Sequence, residues 1–77
     1  MTLEDDLSRA LAFKAFAENA RGEDVVRRAM TLTFMTQADL ARASGITQET
    51  LRRYSAGRRP TAAHVAALSW AVLRRYK

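Results

Sequence analysis

The 77-residue chain has no cysteine, one proline, three glycines, one histidine and one tryptophan. Without cysteine, neither disulfides nor thiolate metal sites can staple so short a chain. Its size allows one small core, so stability has to come from helix packing or from association. No stretch approaches the length of a membrane span, and the acidic start Met1-Thr2-Leu3-Glu4-Asp5-Asp6 lacks the apolar run of a signal peptide. The lone His64 has no nucleophile or orienting acid at a recognisable spacing and reads as a surface or cap-region residue. No glycine-rich phosphate loop is present, and Glu4-Asp5-Asp6 suits a helix N-terminus better than a metal. Neither an enzyme nor a cofactor or metal site is expected, and the cysteine-free composition is compatible with the cytoplasm.

Positive charge is unevenly placed. Residues 1–34 hold five Lys/Arg against six Asp/Glu, a net −1. Residues 35–77 hold eight against two, Asp39 and Glu49, a net +6. A basic half of this kind is the electrostatic footprint of a surface that meets phosphates.

Within that half, Thr36 to Arg59 read as two short helices around a tight turn. Thr36 caps the first, with Asp39 three residues on completing a capping box. Leu40 and Ala41 face inward, and Gly45 falls where the chain must stop and reverse. Ile46 re-enters the core, Thr47 caps again, and Leu51 with Tyr54 gives the second helix a buried face. Gln48, Glu49, Thr50, Arg52 and Arg53 are left outside. The pattern is that of a helix-turn-helix.

The run Gln37-x-x-Leu40-Ala41-x-x-x-Gly45-Ile46-Thr47-x-x-Thr50-Leu51, then Gly57-Arg58-Arg59-Pro60-Thr61 and an alanine- and leucine-rich helix, resembles the lambda-repressor-like (Cro/XRE-type) DNA-binding domains. The resemblance covers roughly residues 24–75. It implies an all-α, five-helix bundle and a sequence-specific double-stranded DNA-binding regulator. Such a regulator would act as a repressor, cytoplasmic and nucleoid-associated. It would suit a phage control circuit, a restriction–modification controller or a toxin–antitoxin operon, with a toxin as a possible partner. Two residues depart from the family pattern. Ser44 stands where an apolar residue is usual, which would weaken helix-to-helix packing, and Tyr54 replaces a smaller aliphatic, so its hydroxyl needs a partner or a phosphate.

The spacing predicts helices over about 3–20, 24–34, 37–43, 48–55 and 61–75, with no strand and no internal repeat. Residues 1–77 form a single domain, with 1–22 an additional N-terminal helix and 36–56 the helix-turn-helix. Thr2 would cap the first helix and Gly22 end it; Val26 and Met30, with Leu32 and Phe34 as further candidates, would bury the second. Gly57 and Pro60 close the fourth, and Thr61 caps the fifth. The first helix is apolar on two sides: Leu3, Leu7, Ala10 and Leu11 on one, Phe13, Phe16, Ala17 and Ala20 on the other. On the fifth, Val65, Leu68, Val72 and Tyr76 form one stripe, with Trp70 and Leu73 off it. The core can cover one side of each helix. A second copy of the chain is expected to cover the surplus, with Leu7, Leu11, Trp70 and Leu73 as the interface, matching the two-fold symmetry of a palindromic operator.

On the second helix of the pair, Gln48 suits an adenine edge, Glu49 a cytosine amino group and Arg53 a guanine. Arg52 reaches either a base or a phosphate. Thr47, Thr50, Arg58 and Arg59 are phosphate candidates, and the resemblance assigns Gln37 to a phosphate; Arg42 points to the DNA backbone or to solvent. Two other readings compete. One is a winged-helix protein of the MerR/excisionase kind, suggested by Gly45-Ile46-Thr47 and Thr50-Leu51-Arg52-Arg53-Tyr54, which needs a β-wing after the helix. The other is an antitoxin or adaptor bundle that works through protein contacts alone.

Overall fold

The computed structural model describes residues 3–74. Thr2 as a cap, the side chain of Leu3, and Arg75 and Tyr76 lie outside the described residues. Five helices follow one another: α1 (Leu3–Ala17), α2 (Gly22–Thr33), α3 (Gln37–Ser44), α4 (Gln48–Ser55) and α5 (Ala62–Leu73). No strand occurs among the described residues, and 61–74, where a wing would fall, is the fifth helix with its caps. This rules out the winged-helix alternative. The fold is all-α.

Helix α1 lies along α5, α2 along α4, and α3 packs against both α4 and α5. The core is mostly aliphatic, with the rings of Phe13 and Tyr54 in it; Phe13, Val25, Val26, Leu40, Leu51, Leu68 and Val72 are its largest fully buried side chains. Burying each of these is worth about 1.5–3 kcal/mol relative to exposure. On α1, the side that enters the core is Ala10, Phe13 and Ala17, so Ala10 belongs with the second face expected for this helix and not the first. Phe16 stays half-buried, with the Arg28 guanidinium 4.4 Å above its ring centroid.

α1 stops three residues short of the expected end. Glu18 and Asn19 form a turn bonded to Lys14 and Phe16, and the Asn19 amide donates to the Ala15 carbonyl at 3.4 Å. A short polar side chain that bonds its own backbone ends a helix as effectively as a glycine. Gly22 therefore does not terminate α1. It is buried in the first turn of α2, where a Cβ would stand 1.9 Å from the Arg58 carbonyl oxygen and 2.5 Å from that of Tyr54. The sequence cue was a glycine near a helix end; the cause is a close approach of two backbones.

The turns on either side of α3 are built alike, eleven residues apart. Thr33 Oγ1 donates to the Ala29 carbonyl at 2.7 Å and accepts from the Met35 N–H at 3.3 Å. Ser44 Oγ donates to Leu40 at 2.7 Å and accepts from Ile46 at 3.2 Å. The residue after each hydroxyl is left-handed: Phe34 with φ 57° and Gly45 with φ 76°. A threonine cap follows both, Thr36 accepting from the Asp39 N–H and Thr47 from that of Thr50. Two expectations change. Ser44 organises the helix-turn-helix turn instead of loosening it. Phe34 is 80% exposed, not core, because the left-handed position carries its side chain outward.

Gly22→Ala separates sterics from helix propensity. Propensity alone makes alanine the better residue by about 0.5–1 kcal/mol. Contact with two carbonyls predicts a loss of about 3 kcal/mol or more, the upper end for overpacking because backbone must move. Urea denaturation of the variant checks both sign and size; at Gly45, with nothing near its missing Cβ, alanine should cost only about 1 kcal/mol.

Candidate nucleic-acid interface

α4 is divided along its length. Leu51 and Tyr54 are fully buried, while Gln48, Glu49, Arg52 and Arg53 are exposed. Leu51 and Tyr54 lie three apart, so they share one side and leave the polar residues on the other. The four expected base readers therefore sit together on the solvent side of one short helix. Across that side Arg53 Nη2 donates to Glu49 Oε1 at 3.2 Å.

The N-terminus of α4 is set by its cap. Thr47 Oγ1 accepts from the Thr50 N–H at 3.2 Å and donates to Thr50 Oγ1 at 2.8 Å. Thr50 is half-buried, drawn toward Thr47, and so belongs to the cap more than to the outer face. Gln37 stands at the start of α3, half-buried, with its Nε2 donating to Ser55 Oγ at 3.4 Å. That contact ties the beginning of α3 to the end of α4. Asp39 does not turn back to its cap; its carboxylate pairs with exposed Arg42.

Behind the face, the Tyr54 hydroxyl shares a hydrogen bond with His64 Nδ1, and the two rings meet edge-on with centroids 5.7 Å apart. His64 is therefore half-buried and satisfies Tyr54, while its backbone N–H donates to the Thr61 cap at 3.2 Å. Of the surface or cap-region places expected for it, the cap region is the one it takes. Sequence reasoning missed the tie to Tyr54 because the partners are ten residues apart on different helices. Arg58 is exposed in the loop before α5. Arg59, exposed in the same loop, donates from Nη2 to the Glu18 carbonyl at 3.0 Å, closing the end of α1. A cation on a helix's last carbonyls is favourable for the dipole as well as for the hydrogen bond. The structure thus gives Arg59 a structural partner that spacing could not have shown.

Of the residues expected at an interface between copies, Leu7, Leu11 and Trp70 are 46%, 57% and 60% exposed, and Leu73 is partly buried against the core. All four line one apolar groove of about 230 Å³ between α1 and α5. No helix among the described residues is long and apolar enough to cross a membrane.

Residues 35–69 match the family profile described as helix-turn-helix. The match begins just before the α3 cap and ends in α5, so it contains the whole of the face above. The match supports the lambda-repressor-like, Cro/C1-type helix-turn-helix family for this segment. The family is one of DNA-binding regulators. Searches of curated proteins and of solved structures gave no significant match.

The structure assigns the Tyr54 hydroxyl to His64 and not to a phosphate. Tyr54→Phe is expected to lower stability by about 1 kcal/mol, the usual net value of a lost hydrogen bond. It should leave affinity for operator and random duplex alike unchanged, which a fluorescence titration checks. An equal loss of affinity on every duplex would give the hydroxyl to a phosphate instead.

Proposed function

We propose that this protein is a sequence-specific double-stranded DNA-binding repressor that engages a palindromic operator as a dimer, α4 lying in the major groove. The observation that carries this reading is the outer side of α4. Four exposed residues, all with hydrogen-bonding side chains, stand opposite a buried Leu51–Tyr54 face, two in the first turn and two in the second half of the second helix of a helix-turn-helix. Gln48 reads adenine and Arg53 guanine, the pairings their donor patterns match. Gln37, Thr47, Thr50, Arg58 and Arg59 bind phosphates, with Gln37 at the α3 N-terminus where backbone N–H groups also point outward. Arg59 can serve there only by releasing the Glu18 carbonyl. Arg52 serves either base or phosphate.

Selection of bound sequences from random duplex DNA tests the reading directly, and a palindromic consensus is the expected result. Gln48→Ala and Arg53→Ala should each cost about 1–3 kcal/mol on the selected operator and less on random duplex. Gln37→Ala should weaken both almost equally, because phosphates carry no sequence information. Log affinity should fall steeply with log salt, and Arg58→Ala should lower that slope by about 0.9 per subunit. A flat salt response would remove the basic half as a DNA surface.

The groove of Leu7, Leu11, Trp70 and Leu73 is what supports the dimer. A charge placed there has no partner, so Trp70→Lys should weaken association by roughly a hundredfold or more. Sedimentation is the measurement: a wild-type monomer at concentrations of about tens of micromolar, where even modest interfaces associate, would count against the dimer. The same groove favours one second reading, a bundle that binds another protein such as a toxin. That reading gains if the wild type is monomeric and shifts no duplex.

A further inference from the structure

α4 carries one acidic side chain, Glu49, and it stands on the exposed side among Gln48, Arg52 and Arg53. Its carboxylate accepts from Arg53 Nη2 at 3.2 Å, with glutamate N-terminal to arginine at i, i+4, the favourable order on a helix. Glu49 is 72% exposed and Arg53 57%, so the pair adds little to stability. A surface made only to attract phosphates gains nothing from a carboxylate that repels them and engages one of its arginines.

We propose that Glu49 and Arg53 act as one unit that reads a single G·C edge, and that Glu49 withholds Arg53 from phosphates on all other DNA. The proposal rests on α4 entering the major groove as described above. The contact is single: one Nη2 donor meets one carboxylate oxygen. Nη2 carries two hydrogens, so with one given to Glu49 the guanidinium keeps a two-donor edge made of the other Nη2 hydrogen with Nε or Nη1, and the carboxylate keeps Oε2. Across the major groove a G·C pair presents N7 and O6 as acceptors, then the cytosine amino group as a donor. Two donors followed by an acceptor is the order that the arginine–glutamate pair offers in return. An A·T pair presents acceptor, donor, acceptor, which sets an amino group against the guanidinium and O4 against the carboxylate. A lone arginine is opposed at one of these points, the pair at both, so mismatch is penalised by repulsion as well as by lost contacts. On random sequence Arg53 remains with Glu49 and displaces no counterion.

Selection from random duplex DNA with wild type and Glu49→Gln in parallel, together with salt titrations on one random duplex, tests this. The wild-type consensus should hold a fixed G·C at one position in each half-site. Glu49→Gln should admit A·T there, with discrimination falling roughly tenfold. Its affinity for random duplex should rise several-fold, and the log–log salt slope should steepen by about 0.9 per subunit as Arg53 turns to a phosphate. Arg53→Lys, which keeps the charge pair but not the planar fork, should lose the guanine preference while random-duplex binding stays low. Glu49→Gln selecting the same base with undiminished discrimination, or showing an unchanged slope on random duplex, would overturn the proposal and leave DNA binding intact. If neither protein shifts any duplex, the proposed function fails and the reading unit with it.

Discussion

The position of α4 depends on a contact with no side chain in it. Gly22, in the first turn of α2, lies against the carbonyls of Tyr54, in the last turn of α4, and of Arg58, in the loop after it. Any Cβ would push the two helices apart, and the exposed side of α4 would turn with them. Two further ties come from other directions. The Tyr54 hydroxyl meets His64 on α5, and Arg59 holds the loop after α4 to the end of α1 at Glu18. One short helix is thus referenced to α1, α2 and α5. An eight-residue helix has little stability of its own, since nucleation is costly and few bonds follow it. Rigid placement of Gln48 and Arg53 must therefore come from these neighbours.

Charge and apolar surface are separated on the molecule. The outward side of α4 and the loop at Arg58 and Arg59 are polar and basic, and they draw no large side chain from the core. The groove between α1 and α5 is apolar, and neither helix contributes to the α4 face. Phosphate attraction and apolar association can then act without either desolvating the other. A small domain without disulfides has much to gain from covering Leu11 and Trp70, because an exposed apolar side chain contributes nothing to its core.

Legibility in the sequence followed the range of the interaction. Much of what is set within four residues could be read: the threonine caps Thr36, Thr47 and Thr61, the inward pair Leu51 and Tyr54, the turn at Gly45, though not the equally local bonds of Ser44 and Asn19. The polar side of α4 followed from those, since fixing one face of a helix fixes the other. Contacts between elements could not be read. Gly22 looked like a stop because a glycine near a helix end usually is one, and only the packing of α2 on α4 reveals the backbones it lets through. His64 looked solitary because Tyr54 lies on another helix, and Arg59 looked like one more phosphate ligand because its carbonyl partner is 41 residues away. Phe34 misled for a different reason. An aromatic in helical register argues for burial, and only its left-handed backbone turns it out.

The resemblance between Thr33-Phe34-Met35-Thr36-Gln37 and Ser44-Gly45-Ile46-Thr47-Gln48 shows how one local device can serve two ends. Each segment closes a helix with a hydroxyl, reverses through a left-handed residue, buries an apolar side chain to some degree and restarts on a threonine cap. At the second copy the reversal is a glycine and nearly free; at the first it is a phenylalanine, which costs about 1–2 kcal/mol. The chain tolerates that cost because Thr33 spans the turn with two hydrogen bonds. Each cap is followed at once by a glutamine, yet the two have different surroundings. Gln37 is half-buried with its amide on Ser55, held where a backbone oxygen can be met at one fixed place. Gln48 is exposed at the leading end of α4. Under the proposed function that difference is what suits the first to a phosphate, whose position does not vary with sequence, and the second to base edges, which do.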